Sequence, residues 1–278
     1  EMGDFENARA TAEEIIELPP ESVIGYLTLG DLHYRQQDWA TAHRHYKNAQ
    51  ARNPEYQSLQ FQLFNIYVFT GLFETALDVD PSAEAQLFVY VYSGDLVAAQ
   101  DLVESENLDD GFRSFVAYAK GEFAQNISLN PQDLTDYTDD RGKISSDFNA
   151  QFVAKFAYMY RMIGSSDQAA AFAAAVEEYL GDRQPETISS RSDLETGAIM
   201  QLVKGDQTNA LRWLERRVEL QFADNFHLEP IYDDLRDLPE FIEIKERNDA
   251  ILARHRAEIE AQLAKPKSDW VFPDYSED

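Results

Sequence analysis

The chain has 278 residues, a formal net charge of -27, 44% apolar residues and 12% aromatic residues. That apolar content suffices for a continuous core and argues against disorder, while the length allows one elongated array or two domains. The acidity disfavours sequence-independent binding to nucleic acid or to anionic membranes, and the absence of cysteine excludes disulfides, thiolate catalysis and cysteine-ligated zinc.

One phrase recurs along the chain. A turn residue is followed two places later by a large apolar residue and five places later by alanine. It reads Gly3-Asp4-Phe5 with Ala8, Gln37-Asp38-Trp39 with Ala42, Gly71-Leu72-Phe73 with Ala76, and Gly94-Asp95-Leu96 with Ala99. Looser copies stand at Gly164 with Ala169 and at Gly205 with Ala210. The turns at 3, 37 and 71 are 34 apart, and those at 94, 121, 164 and 205 come after intervals of 23, 27, 43 and 41. The first third is therefore regular and the rest degenerate. A fixed period of this size predicts stacked helix pairs. With Gly3 at a mid-pair turn, Ala8, Ile15 and Ile16 lack a covering partner helix, which predicts that the sequence is part of a longer protein.

The most regular unit runs from Val23 to Tyr56. Tyr26, Leu29, Gly30 and His33 fall three to four apart and line one face of a first helix; Ala42, Tyr46 and Ala49 do so on a second. Small Gly30 and Ala42 should let the two helices approach closely, with Tyr46 filling space toward the next unit, and Pro54 should stop the second helix. The second helices that begin after Gly71 and Gly121 meet a proline early, at Pro81 and Pro131, which predicts helices of about two turns.

Residues 132–147 are polar and predict a hinge or long loop. Beyond it, 148–163 with 168–180 and 192–204 with 208–222 read as two further helix pairs, with loops near 181–190 absorbing extra length. In the closing segment Asp237 is placed to cap a helix opened by Pro239. Phe241, Ile244, Ile251, Ile259 and Leu263 then recur along one side, so this helix is expected to pack over the last repeat. Beyond it lies an acidic, aromatic tail with Trp270, Phe272 and Tyr275.

The unit with Tyr26, Leu29, Gly30, Ala42, Tyr46, Ala49 and Pro54 closely resembles the tetratricopeptide repeat, departing from it at His33, where an aromatic residue is usual. The phrase Leu235-Arg236-Asp237-Leu238-Pro239-Glu240-Phe241 is similar to the end of repeat regions in bacterial signalling proteins, including winged-helix regulators and cyclase or kinase fusions. The resemblance implies an all-α, right-handed solenoid of helix–turn–helix repeats with a C-terminal capping helix. It implies four regions: repeats over 1–131, a loop or hinge over 132–147, degenerate repeats over 148–224, and a terminal helix and tail over 225–278.

The resemblance also implies a concave binding face made by the first helices. In this chain that face would carry Leu27, Asp31, Tyr34 and Arg35, then Phe61, Asn65 and Val68, then Glu84 and Phe88. Members that grip the terminal carboxylate of chaperone tails need lysine and asparagine where Leu27 and Asp31 stand, so that clamp is absent. The mixture of rings, amide and acids instead suits an extended protein segment with basic character. The competing reading is that aromatic residues at helical spacing belong to the core.

No catalytic constellation is visible. His43 and His45 point to opposite sides of a helix and cannot share an ion, and the pairs Asp109-Asp110, Asp139-Asp140 and Asp233-Asp234 read as solvated or capping acids. No cofactor, metal, nucleic acid or membrane insertion is expected of this region, and the compartment stays open between cytoplasm and periplasm. The function expected is non-catalytic protein–protein interaction, as a scaffold or adaptor region of a larger bacterial protein. A sensory or regulatory ligand-binding domain and a self-association module are the alternatives.

Overall fold

A computed structural model describes residues 23–53, 58–130, 133–139 and 141–265. Among these the protein is all-α, and β pairing is limited to one isolated bridge between Thr138 and Ile144. The expectations for Gly3 to Pro20, Pro54, Pro131 and the tail with Trp270, Phe272 and Tyr275 lie outside the described residues. The chain divides into two compact units, one from the described residues of 1–89 and 249–278, the other from those of 90–248. The polar stretch expected to separate regions lies inside the second unit.

The helices are α1 (Ile24–Arg35), α2 (Trp39–Arg52), α3 (Ser58–Phe69), α4 (Phe73–Val79), α5 (Ala83–Ser93), α6 (Leu96–Ser105), α7 (Asp110–Ala119), α8 (Phe123–Leu129), α9 (Asp147–Met162), α10 (Ser166–Leu180), α11 (Arg191–Lys204), α12 (Gln207–Glu219) and α13 (Pro239–Leu263). Chain neighbours pack as antiparallel pairs, α1 with α2 and α3 with α4 in the first unit, and α7 with α8, α9 with α10 and α11 with α12 in the second. This adjacent-pair packing is that of a solenoid-like repeat architecture.

The recurring phrase is a helix stop and a helix start compressed into a few residues. Gln37, Gly71, Gly94, Gly121, Gly164 and Gly205 all have left-handed φ, between 56° and 82°. At each, the turn residue's N–H bonds the carbonyl three residues back and the next N–H reaches the carbonyl five back, at 2.7–3.1 Å. That is the Schellman closure, which satisfies carbonyls the helix would otherwise leave open. Where the next residue is Asp38, Asp95 or Asp206, its side chain accepts from the N–H of Thr41, Ala98 or Asn209 and caps the second helix of the pair. The alanines five places on, Ala42, Ala76, Ala99, Ala169 and Ala210, are all buried. The turn at Gly121 has Asn126 in that place, also buried, and its Nδ2 donates to the carbonyl and hydroxyl of Ser114 on the partner helix, at 2.8 and 2.9 Å.

Close approach within pairs is equally specific. A Cβ on Gly30 would overlap the Tyr46 ring, and one on Gly197 would overlap Trp213. Tyr46 thus fills the space opened inside its own pair, and not the space toward the next unit; its hydroxyl donates to Asp31 at 2.7 Å. The helices α4 and α8 are seven residues each, the two turns expected, against fourteen in α2. Further on, α9 to α11 begin and end within two residues of the expected bounds, while α12 begins one residue early and ends at Glu219, three residues short of the expected 222.

In the first unit His33 keeps the aromatic place, stacking on His45 at 5.5 Å, while its Nδ1 lies 3.1 Å from Asp38. Burial opposes ionisation of Asp38, but hydrogen bonds from His33 and Thr41 outweigh it and bring its pKa down to about 2. Residues 249–263 of α13 also belong to this unit. Gln262 Nε2 donates to the Ala40 carbonyl, so its Oε1 faces His43 Nδ1 at 2.6 Å; His43 Nδ1 therefore carries the proton and Nε2 accepts from Tyr67 at 2.9 Å. Burial, chiefly, lowers the pKa of His43 to about 4, which keeps the ring neutral. The Arg256 guanidinium meets the Thr70 carbonyl. This part of α13 therefore packs against the first repeat units, whereas its apolar stripe predicts the whole helix over the last.

In the second unit residues 239–248 of α13 do cover the closing segment. Phe226 meets Tyr232 and Phe241 edge-on at 5.8 and 5.9 Å, and Asn248 donates to the Asp224 carbonyl at 2.9 Å. The residue before the helix is Leu238, whose carbonyl accepts from Ile242, so the cap position belongs to Leu238 and Asp237 is one residue too early. The described part of this stretch, 133–139 and 141–146, is a loop that leads into α9: Leu134–Tyr137 form one 3-10 turn with a capping box between Asp133 and Asp136, and Asn149 holds the Tyr137 carbonyl at 3.3 Å.

Candidate functional site

The first-helix residues singled out in the sequence fall on α1, α3 and α5. Asp31, Arg35, Phe61 and Glu84 are exposed; Leu27, Tyr34, Asn65 and Phe88 are half-buried. Phe61 stands out with 69% exposure. Tyr34 is partly a core residue, its ring meeting Trp39 edge-on at 5.2 Å and Tyr46 at 6.4 Å. Val68 is corrected: it is 1% exposed and presents nothing to a partner. The reason is that α3 also buries Leu59, Leu63, Phe64, Ile66 and Tyr67, so spacing alone does not select its outer face. The surviving candidate surface of the first unit is an exposed ring and two exposed carboxylates on α1, α3 and α5, with the Arg35 guanidinium exposed at the end of α1.

In the second unit the first helices behave differently. Tyr118 on α7, Lys155 on α9, and Arg191 and Glu195 on α11 converge on the segment that leads out of α12. Lys155 Nζ lies 3.3 Å from Glu195 and 2.8 Å from Glu229; Tyr118 donates to Glu229 at 2.7 Å. Arg191 lies 3.3 Å from Glu195 and 2.9 Å from Asp224, and Arg217 of α12 also pairs with Asp224. Three cations thus meet three carboxylates. Glu195 is 1% exposed and Arg217 is fully buried over the Phe226 ring, at 4.9 Å.

The electrostatics reflect this balance. Burial disfavours a charged Lys155, yet Glu229 and Glu195 more than compensate and raise its pKa. Glu195 is opposed by burial as well, and Lys155 and Arg191 hold it below the usual carboxylate range. Burial and the Glu229 carboxylate push the Tyr118 hydroxyl well up, so it stays a proton donor. Tyr232, fully buried beside the cluster, is pushed up by burial and then by Glu195 and Glu229. Its hydroxyl and Arg191 Nε have no protein hydrogen-bond partner. Sequence patterning singles out none of these residues. Arg217 leaves one signal, an arginine in the stripe of α12 that also holds Ala210, Trp213, Leu214 and Val218.

A third feature is an open groove of about 390 Å³ between α12 and the start of α13, lined by Leu211, Leu238 and Ile244 with Arg212, Glu215 and Arg247 among its polar groups. Glu215 and Arg247 pair with each other across it at 3.1 Å. Among the described residues no group of three or more His, Cys, Asp or Glu could hold a metal ion, and no helix is long and apolar enough to cross a membrane. Neither a family model nor a curated protein matches the chain.

Proposed function

We propose that this protein is a tetratricopeptide-like, non-catalytic protein-binding region whose first unit receives an extended segment of basic character. The observation that carries the reading is Phe61, a large ring held 69% exposed on α3, with exposed Asp31 and Glu84 on the first helices either side of it in the chain. A ring flanked by carboxylates favours a cationic, partly apolar segment, and an overall charge of -27 extends the attraction beyond contact distance. The six identical helix stops support the repeat identity, and the likeness of 235–241 to bacterial signalling proteins supports a regulatory setting. Tyr118, Lys155, Arg191 and Glu195 on the first helices of the second unit are not available for such binding, since they are engaged with one another and with Asp224 and Glu229.

The test is titration of a labelled lysine-rich extended peptide onto the full chain and onto Phe61→Ala and Tyr34→Ala variants. Phe61→Ala should weaken binding about tenfold with an unchanged melting temperature. Tyr34→Ala should weaken binding and also lower the melting temperature, because its ring packs on Trp39. Unchanged affinity in both variants would remove the first-unit face as the site.

A further inference from the structure

A second aromatic surface lies in the other unit, where α9 leaves the loop before it. Phe148 is 60% and Phe152 37% exposed. Their rings meet edge-on at 4.8 Å, and Tyr137 of the loop stacks on Phe152 at 6.3 Å with an interplanar angle of 13°. Deeper along the same helix face the series continues through Phe156 and Tyr160, both buried against Phe172. The aromatic stripe is therefore a core seam whose outer end is left open. Scattered exposed rings are ordinary, but a contiguous group of three is a recognition feature.

The surroundings restrict what could cover it. Asp133, Asp136, Asp139 and Asp147 are exposed in the loop and at the helix start. Of the nearby cations, Arg141 is exposed and Lys143 is engaged with Glu178 at 3.1 Å. Three rings edged by four carboxylates suit a guanidinium or ammonium, which takes attraction from the ring faces and from the acids together. A second copy of a chain carrying -27 is opposed by its own charge, and phosphate-bearing partners are opposed in the same way.

We propose that Tyr137, Phe148 and Phe152, with the carboxylates of their loop, form a docking surface for an arginine-bearing peptide segment of a partner protein. This surface is independent of the first-unit face, and different variants test the two.

The probe is a fluorescein-labelled peptide of alternating arginine and glycine, read by anisotropy against the full chain at low salt and at about 150 mM salt. Phe148→Leu keeps an apolar side chain but removes the ring, and should weaken binding about tenfold at the higher salt; Phe148→Tyr should restore it. Asp136→Asn with Asp139→Asn keeps hydrogen-bond acceptors in the loop turns, and should weaken binding mainly at low salt. Phe61→Leu serves as the control and should leave this affinity unchanged. Equal affinity of wild type and Phe148→Leu, with matching melting temperatures, would overturn the proposal. So would loss of binding in Phe61→Leu alone, which would place the peptide on the first unit. Dimerisation that disappears in Phe148→Leu, without peptide binding, would assign the rings to a second copy instead.

Discussion

The first helices of the two units carry similar polar and aromatic residues to different ends. In the first unit Asp31, Phe61 and Glu84 reach solvent. In the second, Tyr118, Lys155, Arg191 and Glu195 are sunk in a network with Asp224 and Glu229. The helix pairs themselves are built alike, with the same stops and a buried alanine five places on, replaced by Asn126 only at the Gly121 turn. The difference comes from the segment after α12, which brings the Asp224 and Glu229 carboxylates into the network together with the Phe226, Tyr232 and Leu235 side chains. The second unit buries that segment as its own ligand. A repeat scaffold thus leaves function undetermined until the occupant of its first-helix face is known.

Breaking the network should have the largest effect. Lys155→Met leaves buried Glu195 and half-buried Glu229 without their shared cation, and should destabilise the protein by about 3 kcal/mol in urea unfolding. Adding Glu195→Gln and Glu229→Gln to that variant should recover much of the loss. A loss under about 1 kcal/mol would instead mean that water solvates the cluster and that the two units differ less than their burial suggests.

The first unit has a buried switchable group of its own, with a definite sign. The folded state keeps His43 neutral down to about pH 4, whereas the unfolded ring takes up a proton near pH 6.5. The unfolded state therefore binds more protons between these values, and stability falls as the pH drops through that window, by about 3 kcal/mol in total. His43→Gln, which cannot take the proton, should reduce the dependence between pH 6.5 and 4 when melting temperatures are compared, leaving the part contributed by His45, whose pKa burial likewise lowers to about 4. An equally steep profile would assign the acid sensitivity to other groups.

Smaller effects test what the units share. Gly30→Ala and Gly197→Ala force a Cβ against Tyr46 and Trp213 respectively, and each should cost about 1–3 kcal/mol by thermal unfolding. Similar losses at both sites would confirm one packing rule for both units. Phe61→Ala should change stability by less than about 0.5 kcal/mol, since its ring is mostly in water.

The features legible in the sequence are those decided locally. The stops at 37, 71, 94, 121, 164 and 205 and the short helices before Pro81 and Pro131 depend on residues a few places apart, so the chain displays them directly. The ion network is hidden because it joins Lys155 to Glu229 and Arg191 to Asp224, pairs that no periodicity relates. Spacing misplaces Val68 because α3 is apolar around most of its circumference. It also assigns Tyr46 the wrong neighbour, since the sequence shows that Gly30 leaves room but not which ring enters it. The pairing of residues 249–263 with the first repeat units is likewise a long-range fact with no local mark.

The self-contained stop has a bearing on how such a chain can vary. Each turn closes one helix and opens the next with hydrogen bonds made inside a handful of residues, so the distance between turns is free to drift. A residue added in mid-helix rotates one contact face, whereas one added between Gln37 and Ala42 would erase a full junction. Length variation along the array should accordingly gather in the spans between punctuation marks, as the uneven spacing after Gly71 already displays.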